Sequence, residues 1–242
     1  MDDLNQLYIA NADGDDIALK DNRAISADGK TLALFKNLET ELLTRVDRAD
    51  VIVGCVAWLT SEPILKALSK KKGVAIVVQK EDFLRPDTDS TSGWPKVLRG
   101  LYEAIPSNLS RYDAGWASTV FHGMSYASDP TIEAIRCVGN YNSDKKPAFP
   151  RAHHKFVVFC KEVAPIVHQQ VDTAFYNYEP YEVWTGSFNF TKNAVRSFEN
   201  AIVSTDTDIV RAFFEEAAQI QALSEPLNWE SNWVAPEWRI GT

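Results

Sequence analysis

Two apolar runs and the stretch between them constrain this chain more than any other feature. "DVIVGCVAW" (50–58) and "VAIVVQ" (74–79) have strand length and lack the alternation of a half-solvated strand, so both are predicted to be buried on two faces. Between them, "LTSEPILKALSKKKG" (59–73) carries helix signals: Thr60 or Ser61 as cap, Pro63 in the first turn, Gly73 as the stop. Strand, helix and strand within about thirty residues form a βαβ unit, which sets the two strands parallel and adjacent. The predicted class is α/β, with a mixed, mostly parallel sheet flanked by helices.

The rest of the chain is read around that unit. Residues 11–30 are polar and turn-rich, predicting loops or a short hairpin. Leu32, Phe35, Leu38, Leu42 and Val46 recur at three- and four-residue steps, predicting one amphipathic helix over 31–49. After a less regular middle, "DFLRPDTDSTSGWP" reads as a loop, "KVLRGLYEAI" as a helix and "IEAIRCVGN" as a strand. "HKFVVFC" and "YEVWTGS" read as neighbouring strands and "FENAIVS" as a further one. Ile209, Phe213, Ala217 and Ile220 mark a long helix after them. The segment 224–242 holds three of the seven tryptophans without periodicity and is predicted to strap onto the fold. No internal repeat or low-complexity linker divides the chain, so 1–242 is expected to be a single domain with a polar segment at 1–30.

Polar chemistry collects where these strands end. In "RAHHKFVVFC", His153 and Lys155 are two apart and on a strand project from one face. An imidazole beside an ammonium suits an anionic centre. Ser187 and Asn189 in "TGSFNFT" share a face by the same logic and offer a hydroxyl and an amide. Glu199 in "SFEN" is a carboxylate able to accept from one ring nitrogen of a histidine and leave the other nucleophilic. His154 points the other way and reads as structural, and Thr191 reads at least as well as a helix cap as it does as a phosphate ligand. The lysine run 70–72 reads as solvated charge at a helix end, and the aromatics of "FYNYEPY" as loop packing or base-stacking groups.

These residues resemble the phospholipase D superfamily, whose signature is His-x-Lys-x4-Asp followed by Gly-Ser-x-Asn. His153, Lys155, Gly186, Ser187 and Asn189 match, and Glu199 stands where that family has a downstream acidic residue. The segment 50–80 is similar to that domain's βαβ opening, so the fold class becomes phospholipase D-like. Two departures are visible. Cys160 occupies the aspartate position, and the distance from His153 to Ser187 is longer than in the family, implying an insertion around 161–180. The other two histidines, His122 and His168, lack a lysine two residues on, so there is one motif. Single-motif members resemble halves that build one site across a twofold homodimer interface.

The resemblance implies a metal-independent phosphodiesterase with His153, Lys155, Ser187, Asn189 and Glu199 as its site, and with neither cofactor nor metal. A nuclease acting on DNA or RNA through a phosphohistidine is the expected member. A non-catalytic binding or scaffold protein on the same fold, and a phospholipase, are the alternatives. A net charge of −8 argues against a generic nucleic-acid coat but leaves room for a locally basic cleft. Cys55, Cys137 and Cys160 lie in or beside apolar runs without metal-ligand spacing and read as free buried thiols. With no secretory signal in "MDDLNQLYIA" and no apolar run near the roughly 18 residues a membrane span needs, a cytoplasmic protein without stable membrane association is expected.

Overall fold

The structure is a computed structural model and describes residues 3–84, 93–106, 133–163, 166–167, 174–175 and 178–235. An antiparallel hairpin, β1 (Tyr8–Ala10) and β2 (Asp16–Ala18), precedes β3 (Ala24–Ile25) and β4 (Thr31–Leu34). Then come α1 (Leu38–Arg48), β5 (Val51–Val56), α2 (Glu62–Leu68), β6 (Gly73–Gln79), α3 (Gly93–Glu103) and β7 (Ile135–Val138). The second half holds β8 (Lys155–Glu162), the short pair β9 (Ile166–Val167) and β10 (Ala174–Phe175), β11 (Tyr178–Gly186), β12 (Ala201–Ser204) and α4 (Thr207–Ala222).

Eight strands form one sheet in the order β3-β4-β12-β11-β8-β5-β6-β7. The sheet is mixed and flanked by helices, as predicted, but it is not mostly parallel. Only β5–β6 and β6–β7 run parallel, while β8 pairs antiparallel with both β5 and β11, and β11, β12, β4 and β3 continue antiparallel. The reason lies in the connections. A parallel neighbour needs a crossover long enough to return the chain, and α2 and the stretch containing α3 are the segments that do this. Extending the pattern of one βαβ unit to the other strands was the error.

Burial follows the side-chain period of two. Ile52 and Val56, Val157 and Phe159, and Trp184 point to the face covered by α1, α2 and α3. Val53 and Cys55, Phe156, Val158 and Cys160, and Val183 point to the face covered by Val210, Ala217 and Ile220 of α4. Central strands buried on both faces explain the continuous apolar runs.

Two boundaries differ from the sequence reading. Thr31 to Leu34 are extended, not helical, and pair with β12 and β3. Leu32 and Leu34, two apart, face the core together, Phe35 is exposed, and Asn37 takes a left-handed turn (φ 56°) before α1 begins. A short apolar run fits either period, and pairing decided it. Likewise α2 ends at Leu68, and Gly73 opens β6 opposite Val51 instead of stopping the helix. Ser61 is the N-cap residue of α2, as predicted, but its hydroxyl donates to Glu39, 2.6 Å away, and makes no side-chain capping bond.

The described part of the C-terminal segment is strapped down by a buried cation. Lys80 Nζ donates to the carbonyls of Ser231 and Trp233 at 2.9 and 2.8 Å and pairs with Glu225 at 2.6 Å. The same ammonium lies 5.8 Å from the Trp229 ring, which is itself buried. Trp238 lies outside the described residues.

All three cysteines are free and buried. Burial pushes the Cys55 and Cys137 thiols up to about 12 and raises Cys160 as well, so none is a ready thiolate. Cys160 lies five residues beyond Lys155 on β8, roughly 16 Å along the strand, and on the opposite face. No local charge belongs there. Cys160→Asp is therefore expected to lower stability by about 2–4 kcal/mol in urea denaturation, against about 1 kcal/mol for Cys160→Ala. A Cys160→Asp chain as stable as the parent would mean that position 160 is not in an apolar core.

Candidate active site

Strand register brings the sequence-predicted residues to one end of the sheet. Val56 pairs with Lys155, Thr185 with Phe156, and Gly186 with Ala201. One residue past each of these ladders the chain leaves the sheet: the Ala57 amide still donates to the His154 carbonyl (2.8 Å), and the Ser187 amide to Asn200 (3.1 Å). His153, Ser187 and Glu199 therefore emerge at the same level, at the carboxyl ends of β5 and β11 and the amino ends of β8 and β12. Gly186 permits the crossing, because a Cβ there would run into the backbone of Asn200 and Ala201.

Lys155 is the pivotal group. It is only 8% exposed, on the face shared by Val157 and Phe159. Its ammonium donates to the His153 carbonyl at 2.9 Å and lies 3.2 Å from both ring nitrogens of His153. Among the described residues it forms no ion pair. Burial lowers its pKa, and the nearby charge of Glu199 opposes that shift. His153 is exposed and is held below the ordinary histidine value by desolvation first, then by Lys155, Arg151 and His154. The neutral imidazole, the form that can attack an electrophile, is thereby favoured.

Ser187 and Glu199 meet, although not as the spacing implied. The Ser187 hydroxyl donates to Glu199 Oε2, and its oxygen accepts from the Asn200 amide at 3.0 Å. The expectation is that Glu199 orients the imidazole; among the described residues its hydrogen-bond partner is Ser187, and it acts on Lys155 electrostatically. Asn189 Oδ1 is buried without a hydrogen-bond partner. A polar atom left in that state costs on the order of 1–3 kcal/mol unless a donor fills it.

His154 faces away, as predicted. Its ring is edge-on to Phe156 at 5.6 Å and its Nε2 is 3.8 Å from Glu216 of α4. Thr191 Oγ1 accepts from the Ala194 amide at 3.2 Å, just before the 3-10 turn Ala194–Arg196, whose N-cap residue is Asn193. His122 and His168 lie outside the described residues, as does much of the expected insertion around 161–180. Among the described residues no cluster of three or more His, Cys, Asp or Glu could hold a metal ion.

Sequence reading missed Trp58. Two residues past Val56 on the extended β5, it lies opposite His153, ring edge to ring at 5.7 Å and 81°. Its indole N–H donates to Glu81 at 2.8 Å, which fixes the ring. The signal was present, since the apolar run ends in "AW", but only the β5–β8 pairing says what that tryptophan touches. Beyond it, a groove of about 1020 Å³ runs from Trp58, Asn189 and Glu199 to Trp94 and Lys192.

No protein-family model matches the chain. The uncharacterized protein L381 of Acanthamoeba polyphaga mimivirus is 30% identical over 215 residues, spanning 85% of this chain and 70% of that protein. The chain belongs to that protein's family. Among solved structures, Nuc of Salmonella typhimurium, a phospholipase D family member, overlaps with 81% of this chain and 97% of its own at 18% identity and a TM-score of 0.44. NucT of Helicobacter pylori overlaps with 79% and 94% of the two chains at 12% identity and a TM-score of 0.46. No helix among the described residues is long and apolar enough to cross a membrane.

The charge of Lys155 is one of the causes holding His153 down, so Lys155→Met should raise the His153 titration midpoint. Histidine-selective NMR measures this directly. A midpoint that stays put or falls would separate the two groups electrostatically.

Proposed function

We propose that the chain is a metal-independent phosphodiesterase of the phospholipase D superfamily, acting as a nuclease on DNA or RNA. The observation that carries this reading is the buried ammonium of Lys155, without an anionic partner among the described residues, lying against an imidazole biased toward its neutral form. A buried cation is costly unless paired. A phosphodiester oxygen supplies the missing charge, and the side-chain NH2 of Asn189, which with Glu199 lines the adjoining groove, is a donor for the same anion. Glu199, held by Ser187, offsets the desolvation of Lys155 and keeps it charged.

Neutral His153 attacks phosphorus, the bond to the leaving alkoxide breaks, and a phosphohistidine forms. An acid is needed for that alkoxide, and one chain offers a single His-x-Lys motif. The partner subunit's His153 in a twofold homodimer would give the proton, then take one from water as the water attacks the phosphohistidine and frees the ring. Lys155 and Asn189 hold the non-bridging oxygens through both steps; loss of one such donor costs about 10²-fold in rate. The scaffold alternative draws on the net charge of −8 and on Cys160. That position is on the far face of the sheet, so its lack of charge says nothing against activity here.

With EDTA present, the parent chain should cleave labelled DNA or RNA when single- and double-stranded forms of each are offered, and His153→Ala should reduce cleavage by at least about 10³-fold. A denaturing quench at alkaline pH should trap an alkali-stable, acid-labile phosphoprotein that the variant lacks. Light scattering should find a dimer in both proteins. Cleavage that persists in His153→Ala would remove the histidine from the chemistry.

A further inference from the structure

The groove that opens at Trp58, the ring neighbour of His153, carries features that the phosphodiester site alone does not require. Trp94, at the start of α3, is a large aromatic left 49% exposed at its wall. Phe83 supports it edge-on, with ring centroids 5.1 Å apart and planes at 60°, and Phe83 itself packs against the main core. At the catalytic end of the same groove stands Trp58, locked by its bond to Glu81 and touching His153. Lys192, exposed, lines the groove from the loop that follows Asn189. Each of the three carboxylates that line the groove has a partner: Glu199 accepts the Ser187 hydroxyl, Glu39 accepts the Ser61 hydroxyl, and Glu62 pairs with Lys66 at 2.6 Å.

A fixed ring beside the reacting centre, a second supported ring further out and a cation between backbone turns form a pattern with a specific chemical use. Aromatic faces take up nucleobases by stacking, and they can do so only when the bases are not already stacked in a duplex. Duplex binding without base contacts rests instead on many cationic contacts to phosphate, which a chain of net charge −8 is poorly supplied to make. The geometry points to a single-stranded polynucleotide as the substrate, with a base flanking the scissile phosphate stacked on Trp94 and the backbone passing Lys192. This inference rests on the phosphodiesterase reading for its orientation in the groove, but its test does not depend on turnover.

The test is binding by the His153→Ala chain, in EDTA, of a labelled single-stranded oligonucleotide and of its duplex, followed by fluorescence anisotropy. The single strand should bind at least tenfold more tightly than the duplex. Adding Trp94→Ala should weaken single-strand binding about tenfold, the loss of one stacked base, while Trp94→Phe retains most of the affinity. Lys192→Ala should lower the slope of log affinity against log salt by about 0.7. Circular dichroism checks the fold of each variant, and Lys192→Ala tests the same groove should Trp94→Ala fail to fold. Equal affinity for duplex, no binding, or an unchanged Trp94→Ala would overturn the inference. Binding through Trp94 by a parent chain that cuts nothing would instead sink the nuclease reading and leave the groove assignment standing.

Discussion

The register of three antiparallel ladders is the constraint on which the rest depends. Because β5, β8, β11 and β12 are locked by the pairs Val56–Lys155, Thr185–Phe156 and Gly186–Ala201, residues as far apart in the chain as Trp58 and Glu199 arrive at one sheet end. The side-chain period of two then decides the face. A slip of one residue in β8 would move Lys155 to the α4 side and bring Phe156 into the site. Such a slip is opposed along the whole strand, since Val157 and Phe159 fill one core while Phe156, Val158 and Cys160 fill the other. The precision of the polar site is thus maintained by apolar packing on both faces of β8.

Electrostatics at that end are local and run against the charge of the whole molecule. The chain is acidic, yet Lys155 is buried beside His153, and Lys192 stands along the groove that leaves it. Glu199 takes part without neutralising the ammonium through contact: it accepts the Ser187 hydroxyl and acts on Lys155 through space. Burial lowers the pKa of that ammonium and Glu199 opposes the shift, while among the described residues no ion pair engages it. A second buried lysine shows the contrast. Lys80 is satisfied by Glu225 and two carbonyls, and its role is to hold the C-terminal strap.

Much of this was legible in the residue string, and the failures have identifiable causes. The continuous apolar runs marked β5, β6 and β8 because strands buried on both faces need apolar residues at every position. His153, Lys155, Ser187, Asn189 and Glu199 were recognisable as a polar set at strand ends, and the structure brings them to one end of the sheet. Thr31 to Leu34 were misread because four residues satisfy a helical and an extended period equally well, and only pairing with β12 separates them. Glu199 was assigned to the imidazole because spacing cannot tell which of two nearby polar groups a carboxylate will meet. Cys160 looked like a defect in a motif because a linear motif does not say that its last position lies on the other face of the sheet.

By itself, then, the amino-acid order determined which segments are buried, that the class is α/β, and which polar side chains sit at the ends of the core strands. These are consequences of local periodicity and of solvent exclusion, which act on neighbours in the chain. Which strands run antiparallel, that Trp58 contacts His153, that Ser187 holds Glu199 and that Trp94 shares a groove with them were decided only by the tertiary structure. Each of those depends on the relative register and direction of strands distant in sequence, a choice made by the packing of two whole cores and written in no single segment.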